Sequence, residues 1–174
     1  MTYPNFGDAA CAVLLEKEKS EKERGVLSSS YATNLGCNDN CRFPAIGNSA
    51  QLMGKAHKYY RRLEWVPFDS DFLIDDIQKV TENILSLENL TDEDISVYAY
   101  SQFFPKYSDE VFRRLNLSSN KYHYVGNKYG YTGATSPFLS LESVWNDIKG
   151  ESGKYIIFLS YGAGSITGGV AYKI

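Results

Sequence analysis

The alternation of apolar and polar residues divides the chain into strand-like and helix-like segments. Near the N-terminus, AACAVLLEK (residues 9–17) is apolar and strand-like, and GVLSSSYATN (residues 25–34) has the β-branched and small residues that suit a second strand. The mixed-charge stretch EKEKSEKER (residues 16–24) favours a solvated turn between them. The pattern therefore predicts a long hairpin with a charged tip, and such a tip protects an exposed sheet edge.

The strongest helical pattern is DFLIDDIQKVTENILSLENL, residues 71–90. Its apolar side chains recur at spacings of three and four residues: Phe72, Ile74, Ile77, Val80, Ile84 and Leu87. Residues 35–50 show no periodicity and are interpreted as loop, and residues 50–65 as a short helix or an irregular covering segment. The apolar run ISVYAY, residues 95–100, predicts a strand.

The remaining segments complete an alternating order. SDEVFRRLN predicts a helix with Ser108 as N-cap, and SPFLSLESVWNDIK predicts another with Ser136 as N-cap and Pro137 at its first position. YHYVG between them is interpreted as a short strand or extended piece, and KYIIFLSYGAGSITGGVAYKI as two strands joined by a glycine turn. The order β-β-α-β-α-β-α-β-β predicts one compact α/β domain, with a mixed sheet covered by helices.

Composition narrows the class of protein. The chain has 174 residues and a net charge of −3, which gives no reason to expect nucleic acid or an anionic membrane as partner. No apolar run reaches the roughly 18–20 residues that a membrane span needs. The N-terminal sequence MTYPNFGDAACAVLL lacks the positive region of a signal peptide, so we expect a cytoplasmic protein.

The cysteines and histidines indicate no metal centre. Cys37 and Cys41 form a C-x3-C pair, but zinc needs four ligands. Cys11 falls in a predicted strand, and His57 and His123 lie far away in sequence. An odd count of three cysteines also argues against a disulfide framework. We therefore expect reduced thiols and no metal.

Two further features allow a functional and a structural interpretation. The run GAGSITGG, residues 162–169, lies between two strands rather than before a helix, so a tight turn is favoured over a phosphate cradle. The basic residues Lys55, Lys58, Arg61 and Arg62 could attract a phosphate-bearing carrier or form a solvated face.

Several segments together resemble a known family. FGDAACAVLLEK, QLMGKAHKYY, LTDEDISVYAYSQ, YGYTGATSPFLSL and YIIFLSYGAGSITGGVAYKI are similar, in this order, to the C-terminal half of 3-oxoacyl-[acyl-carrier-protein] synthase III. The resemblance runs from about Phe6 to Ile174 and implies a single thiolase-like half domain over residues 1–174, with a mixed five-stranded sheet and helices on both faces. Family members are about twice as long, and their nucleophilic cysteine belongs to the N-terminal half, which the resemblance implies is absent from this chain. Neither Cys11, Cys37 nor Cys41 stands at a predicted strand-to-helix turn that would activate a thiolate.

The resemblance also implies site residues. The family's catalytic histidine position is occupied by Ser101, followed by Gln102, and its asparagine position by Tyr131. In the glycine turn, Ala163 would offer its backbone N–H to a thioester oxyanion, between Gly162 and Gly164. Ser101 and Tyr131 can donate hydrogen bonds, but neither titrates near neutral pH as an imidazole does. They would either assist catalysis or serve packing alone.

The resemblance therefore implies an acyltransferase role without a resident cofactor. The first hypothesis is a split condensing enzyme that acts on acyl thioesters of coenzyme A or an acyl carrier protein, in fatty-acid or secondary-metabolite synthesis. In it, this chain forms a hetero-oligomer with a chain that supplies the cysteine. The alternatives are a non-catalytic subunit of a complete condensing enzyme and a fragment of a longer protein, which Met1 mildly disfavours. The predicted helix 136–148 would need cover from the partner.

Overall fold

A four-stranded mixed sheet forms the centre of the chain. The structure is a computed structural model and describes residues 6–17, 19, 21–37, 39–54 and 62–174. The strands in chain order are β1 (Gly25–Thr33), β2 (Cys41–Arg42), β3 (Glu64–Trp65), β4 (Ile95–Tyr100), β5 (Tyr155–Gly162) and β6 (Ile166–Lys173). The large sheet has the order β1-β6-β5-β4, and β2 pairs with β3 separately. β4 and β5 are parallel, whereas β6 is antiparallel to both β5 and β1.

Helices cover both faces of this sheet. They are α1 (Gly47–Leu52), α2 (Phe72–Leu87), α3 (Pro105–Leu115), α4 (Gly126–Tyr129), α5 (Ser136–Glu142) and α6 (Trp145–Ile148). Helices α2 and α3 contribute to the larger core on one face, while α5 and α6 flank a smaller core on the other. None of the helices in the described residues is long and apolar enough to cross a membrane.

Helix α2 is held by an apolar stripe that agrees in part with the predicted one, because Val80 and Ile84 are buried as expected but Leu87 is 64 % exposed. Leu73, Ile77, Val80 and Ile84 are buried against the sheet. Burial of each such side chain contributes about 1.5–3 kcal/mol. A glycine on the sheet permits this close packing, because a Cβ at Gly169 would lie 2.9 Å from side-chain atoms of both Val80 and Ile84.

The α/β class and most of the long elements predicted from the sequence are confirmed. The helix predicted over 71–90 is α2, the strand predicted over 95–100 is β4, and the final strand–turn–strand is β5 and β6. The second predicted strand is β1. The sheet has four strands in the described residues, however, and not five.

The missing strand is the predicted N-terminal one. Residues 7–17 form no helix or strand, and Val13, Leu14 and Leu15 are 58–84 % exposed. The predicted hairpin with β1 is therefore wrong for this structure. A strand that is apolar at nearly every position is typical of a sheet that is covered on both faces. No described element covers residues 9–17 in this way.

Smaller predictions also need correction. Helix α3 begins at Pro105, not at Ser108, because proline is favoured in the first turn, and Ser108 is buried inside the helix. The helix predicted over 136–148 divides into α5 and α6. Of the two interpretations of residues 122–126, the short strand is not formed, and Tyr122 has the extended backbone of the other. Residues 35–50 contain β2 and most of α1, not only loop.

One part of the sheet carries apolar side chains that no described helix covers. Ile166 on β6 and Tyr31 and Val26 on β1 are 50 %, 66 % and 65 % exposed. The register pairs Tyr31 with Gly168 and Val26 with Tyr172, which places these side chains on the face that α5 and α6 cover farther along the sheet. We call this surface, defined by Val26, Tyr31 and Ile166, the uncovered face.

Candidate active site

The candidate site lies where β4 and β5 end. The carboxyl ends of parallel strands meet at one edge of a sheet, which is a common position for functional groups. Ser101 follows β4 directly, and its backbone N–H donates to the carbonyl of Leu159 on β5 at 2.8 Å. The hydroxyl of Tyr161 donates to the carbonyl of Ser101 at 3.2 Å and accepts from the N–H of Phe103 at the same distance. The backbone at Ser101 is thus fixed on both sides.

The structure brings the two predicted side chains Ser101 and Tyr131 together. The Ser101 hydroxyl donates to Tyr131 Oη at 3.3 Å. Ser101 is fully buried, whereas Tyr131 lines a pocket beside the sheet end. Burial raises the pKa of Tyr131, and the hydrogen bond from Ser101 only partly opposes this, so the phenol stays protonated. Because Tyr131 accepts from Ser101, its own proton is available to another acceptor.

Tyr131 is positioned by the N-terminal segment. The N–H of Gly7 donates to the carbonyl of Tyr131 at 3.0 Å, and Phe6 forms a β-bridge to the same residue. A Cβ on Gly7 would lie 1.7 Å from the carbonyl oxygen of Tyr129, so only glycine allows this approach. The segment FGD, prominent in the sequence, thus places the ring of Phe6 next to Tyr131, with 5.7 Å between ring centroids.

The side chain of Gln102 forms hydrogen bonds within the fold. Its side chain donates to the carbonyl of His123 at 2.7 Å and accepts from the N–H of Val125 at 2.9 Å. It is only 1 % exposed. The amide therefore braces the loop that leads to α4, and a substrate contact of Gln102 stays a prediction.

The glycine turn borders the same pocket. Gly162, Ala163, Gly164 and Ser165 all line it, and the N–H of Ser165 closes the turn on the carbonyl of Gly162 at 3.1 Å. Gly164 has φ +90°, a conformation that favours glycine. Ala163 is exposed, and no hydrogen bond within the described residues uses its backbone N–H. The predicted backbone donor is thus accessible from the pocket.

The pocket encloses about 200 Å³ and is mainly aromatic. Its aromatic lining residues are Phe6, Trp65, Phe68, Phe72, Phe103, Tyr131 and Tyr161. The sequence analysis did not predict this lining. Its only local signal is the cluster of aromatic residues in WVPFDSDF, which precedes α2.

Cys41 also lines the pocket, and the sequence does not predict this position for it. It is a free thiol on β2, and burial raises its pKa, so it is held in the protonated form. Cys11 is free and exposed. Within the described residues, no group of three or more His, Cys, Asp or Glu side chains is arranged to hold a metal ion.

Most residues of the predicted basic patch lie outside the part of the chain that the structure describes. Lys55, Lys58 and Arg61 lie outside the described residues, as does His57, and Arg62 is exposed beside β3. His123 contributes its carbonyl to the loop near the site, where it accepts from Gln102 and from the hydroxyl of Ser140. Burial lowers the pKa of the His123 imidazole.

Comparison with known proteins decides the family. The model of the 3-oxoacyl-[acyl-carrier-protein] synthase III C terminal matches residues 85–174, which include α3, β4 to β6, Ser101, Tyr131 and the glycine turn, but not the pocket walls contributed by residues 6–73. The chain belongs to this family. The resemblance of the sequence to synthase III is thereby confirmed.

Individual relatives agree with this assignment. The beta-ketoacyl-[acyl-carrier-protein] synthase III of Lactococcus lactis subsp. lactis is 30 % identical over 180 residues, covering 95 % of this chain and 51 % of its own length. That of Streptococcus agalactiae is 28 % identical over 173 residues, covering 97 % and 52 %. The chain therefore spans about half the length of the curated relatives it matches.

Solved structures show the same fold at lower identity. The synthase III of Thermus thermophilus superposes with a TM-score of 0.73 at 18 % identity, over 90 % of this chain and 48 % of its own. That of Pseudomonas aeruginosa gives a TM-score of 0.70 at 17 % identity, over 90 % and 48 %. The thiolase-like half-domain fold expected from the sequence is confirmed.

Proposed function

We propose that this chain is the C-terminal half of a condensing or acyl-transfer enzyme that acts on thioesters of coenzyme A or an acyl carrier protein. The observation that carries the proposal is the sheet-end site, where the Tyr131 hydroxyl and the exposed N–H of Ala163 border one apolar pocket. Two donors beside an apolar pocket suit a thioester, whose carbonyl needs hydrogen bonds and whose acyl group needs apolar cover.

In the proposed mechanism, Tyr131 and the Ala163 amide donate to the thioester oxygen as negative charge develops there. Ser101 acts through Tyr131: by donating to Oη it orients the phenol so that its proton points away from Ser101. Neither residue can accept a proton as an imidazole would near neutral pH. The acid–base steps and the nucleophile therefore belong to groups outside this pair.

The nucleophilic cysteine comes, in this proposal, from a separate chain. The described cysteines are poor candidates, because Cys11 is distant from any helix start and the Cys41 thiol is held protonated by burial. The uncovered face supports a partner, since contiguous exposed apolar surface usually marks an interaction site. Half-length coverage of the relatives is consistent with a second, similar half.

Co-expression of this chain with the protein of the adjacent reading frame tests the proposal. We expect a hetero-oligomer in native mass spectrometry and acyl transfer from an acyl-thioester donor that requires both chains. Ile166→Glu on the uncovered face should abolish the complex and leave the fold of the chain unchanged. Leu87→Glu is the matched control, because Leu87 is 64 % exposed at the end of α2. A well-folded chain that binds no neighbour contradicts the split enzyme.

The full burial of Ser101 favours one second candidate, a non-catalytic subunit of a complete condensing enzyme. A side chain that cannot reach a substrate is compatible with packing alone. This candidate predicts a complex with a full-length synthase that carries its own histidine and asparagine. Its turnover would then be unchanged by Tyr131→Phe in this chain.

A further inference from the structure

The walls of the sheet-end pocket are arranged as a set of aromatic rings around a small space. Phe103 lies at the centre of this set, with centroid distances of 5.1 Å to Tyr131, 5.8 Å to Trp65 and 6.2 Å to Phe6. The rings are tilted by 47–63° to one another, so the set presents both faces and edges. The aromatic ring of a ligand could pack against these side chains edge-to-face or offset-stacked, which are the favoured geometries of aromatic pairs.

The volume of the pocket limits what it can hold. The space of about 200 Å³ is slightly larger than an apolar protein cavity of about 150 Å³ that binds benzene. One six-membered ring and a few attached atoms therefore fit. A long alkyl chain would exceed this volume and extend out of the pocket.

The chemistry of the lining excludes a charged ligand from the pocket itself. Among the described residues that line it, none is Asp, Glu, Lys, Arg or His. The polar groups at the pocket are hydroxyls, one thiol and the backbone of the glycine turn, and the Ser70 hydroxyl is already paired with that of Tyr107. The Tyr131 hydroxyl and the Ala163 N–H are two of the groups that could donate to a neutral carbonyl.

We propose that the pocket selects aryl acyl groups, with the aromatic ring among Trp65, Phe103 and Tyr131 and the thioester carbonyl beside Tyr131 Oη and the Ala163 N–H. The thioester part of this inference rests on the proposed function. The preference for a ring rests on the pocket alone. It names the class of acyl group, aromatic and short, that this half of the site admits.

Binding to the isolated chain tests the preference without any partner. Of the two tryptophans, Trp145 lies on α6, outside the pocket lining, so Trp145→Phe leaves Trp65 as the fluorescence reporter. Uncharged S-benzoyl- and S-octanoyl-N-acetylcysteamine are titrated, with benzyl alcohol as a ring that carries no thioester. We expect the benzoyl thioester to bind at least about tenfold more tightly than the octanoyl thioester, as edge-to-face contacts predict. Equal or tighter binding of the octanoyl thioester overturns the inference.

Substitution at Phe103 checks that the aromatic pocket is the source of the preference. Phe103→Leu removes a ring but keeps an apolar side chain, and it should reduce the ratio of benzoyl to octanoyl affinity about fivefold. Phe138→Ala, on the opposite side against Phe158, should leave the ratio unchanged. An unchanged ratio in Phe103→Leu overturns the inference. If benzyl alcohol and the benzoyl thioester bind but the assembled complex transfers no acyl group, the proposed function fails and the ring preference stands.

Discussion

The hydroxyl of Ser101 donates to Tyr131 Oη at 3.3 Å, which joins two residues thirty positions apart in the chain. The two residues differ in their access to a ligand, because Ser101 is fully buried and, of the pair, only Tyr131 lines the pocket. Any contact of this pair with a thioester must therefore pass through the tyrosine. In the proposed mechanism the two positions that the resemblance assigns to catalysis therefore have unequal roles, with Tyr131 as the contacting group and Ser101 as the positioning group.

The first prediction follows from this difference between Tyr131 and Ser101. In the assembled enzyme, Tyr131→Phe should lower kcat about 10²-fold, since it removes a donor to the oxyanion. Ser101→Ala should lower kcat only a few-fold, because the phenol remains and loses only its orientation. Steady-state kinetics with one acyl-thioester donor measure both. Unchanged turnover in both variants would show that the pair serves packing alone.

Gln102 should matter for stability rather than for substrate affinity. Its amide bonds to the backbone at His123 and Val125, so Gln102→Ala leaves buried polar groups without partners. Such a loss costs about 1–3 kcal/mol in the free energy of unfolding. Urea denaturation measures it, with Lys79→Ala at an exposed position of α2 as a control that should change stability by less than about 0.5 kcal/mol. Equal effects of the two variants would contradict the bracing role.

Some of the fold could be predicted from sequence because its signals are local. Helix α2 and strands β4, β5 and β6 have strong apolar periodicity or continuous apolar runs, and their bounds agree with the pattern. The start of α3 was predicted at Ser108 because a good N-cap residue was preferred over Pro105, which is equally typical of a first turn. The run 9–17 was predicted as a strand from its residue types, but pairing depends on cover that the described chain does not supply.

The site was predictable only in part. The positions of Ser101, Tyr131 and Ala163 came from the resemblance, and their proximity could be expected from the shared edge of parallel strands. The aromatic wall could not be predicted. Trp65 reaches Phe103 from a segment 38 residues earlier in the chain, a contact set by tertiary packing and not by local pattern. Cys41 also lines this pocket, a position that its spacing to Cys37 does not indicate.

Gly169 should be essential for the packing of α2 on the sheet. Gly169→Ala would place a Cβ 2.9 Å from side-chain atoms of Val80 and Ile84 and 3.0 Å from the carbonyl oxygen of Phe158. We expect a loss of about 1–3 kcal/mol in the free energy of unfolding, as in other overpacked cores. Gly150→Ala is the matched control, since no atom lies within 4 Å of its Cβ position. If both variants have the same denaturation midpoint, the close approach of α2 is wrong.

The carboxylate of Asp92 should make the stability of the fold depend on pH in the acidic range. Burial disfavours its charge, but hydrogen bonds from the side chain and N–H of Ser118, from the Tyr98 hydroxyl and from Lys121 outweigh this and lower its pKa. A carboxylate with a lowered pKa in the folded state stabilises the protein above its unfolded-state pKa. That stabilisation is lost as the pH falls through the folded-state pKa, so stability should decline below roughly pH 5.

Asp92→Asn isolates this contribution. The variant should be less stable than the unmodified chain at pH 7, by about 1–3 kcal/mol, because the amide replaces a charged acceptor. The difference should shrink towards zero as the pH falls and Asp92 becomes protonated, because the neutral carboxyl then resembles the amide. Urea denaturation at several pH values measures it, with Asp39→Asn at an exposed position as control. A difference that is constant across the pH range would show that the charge of Asp92 is not what holds Ser118 and Lys121.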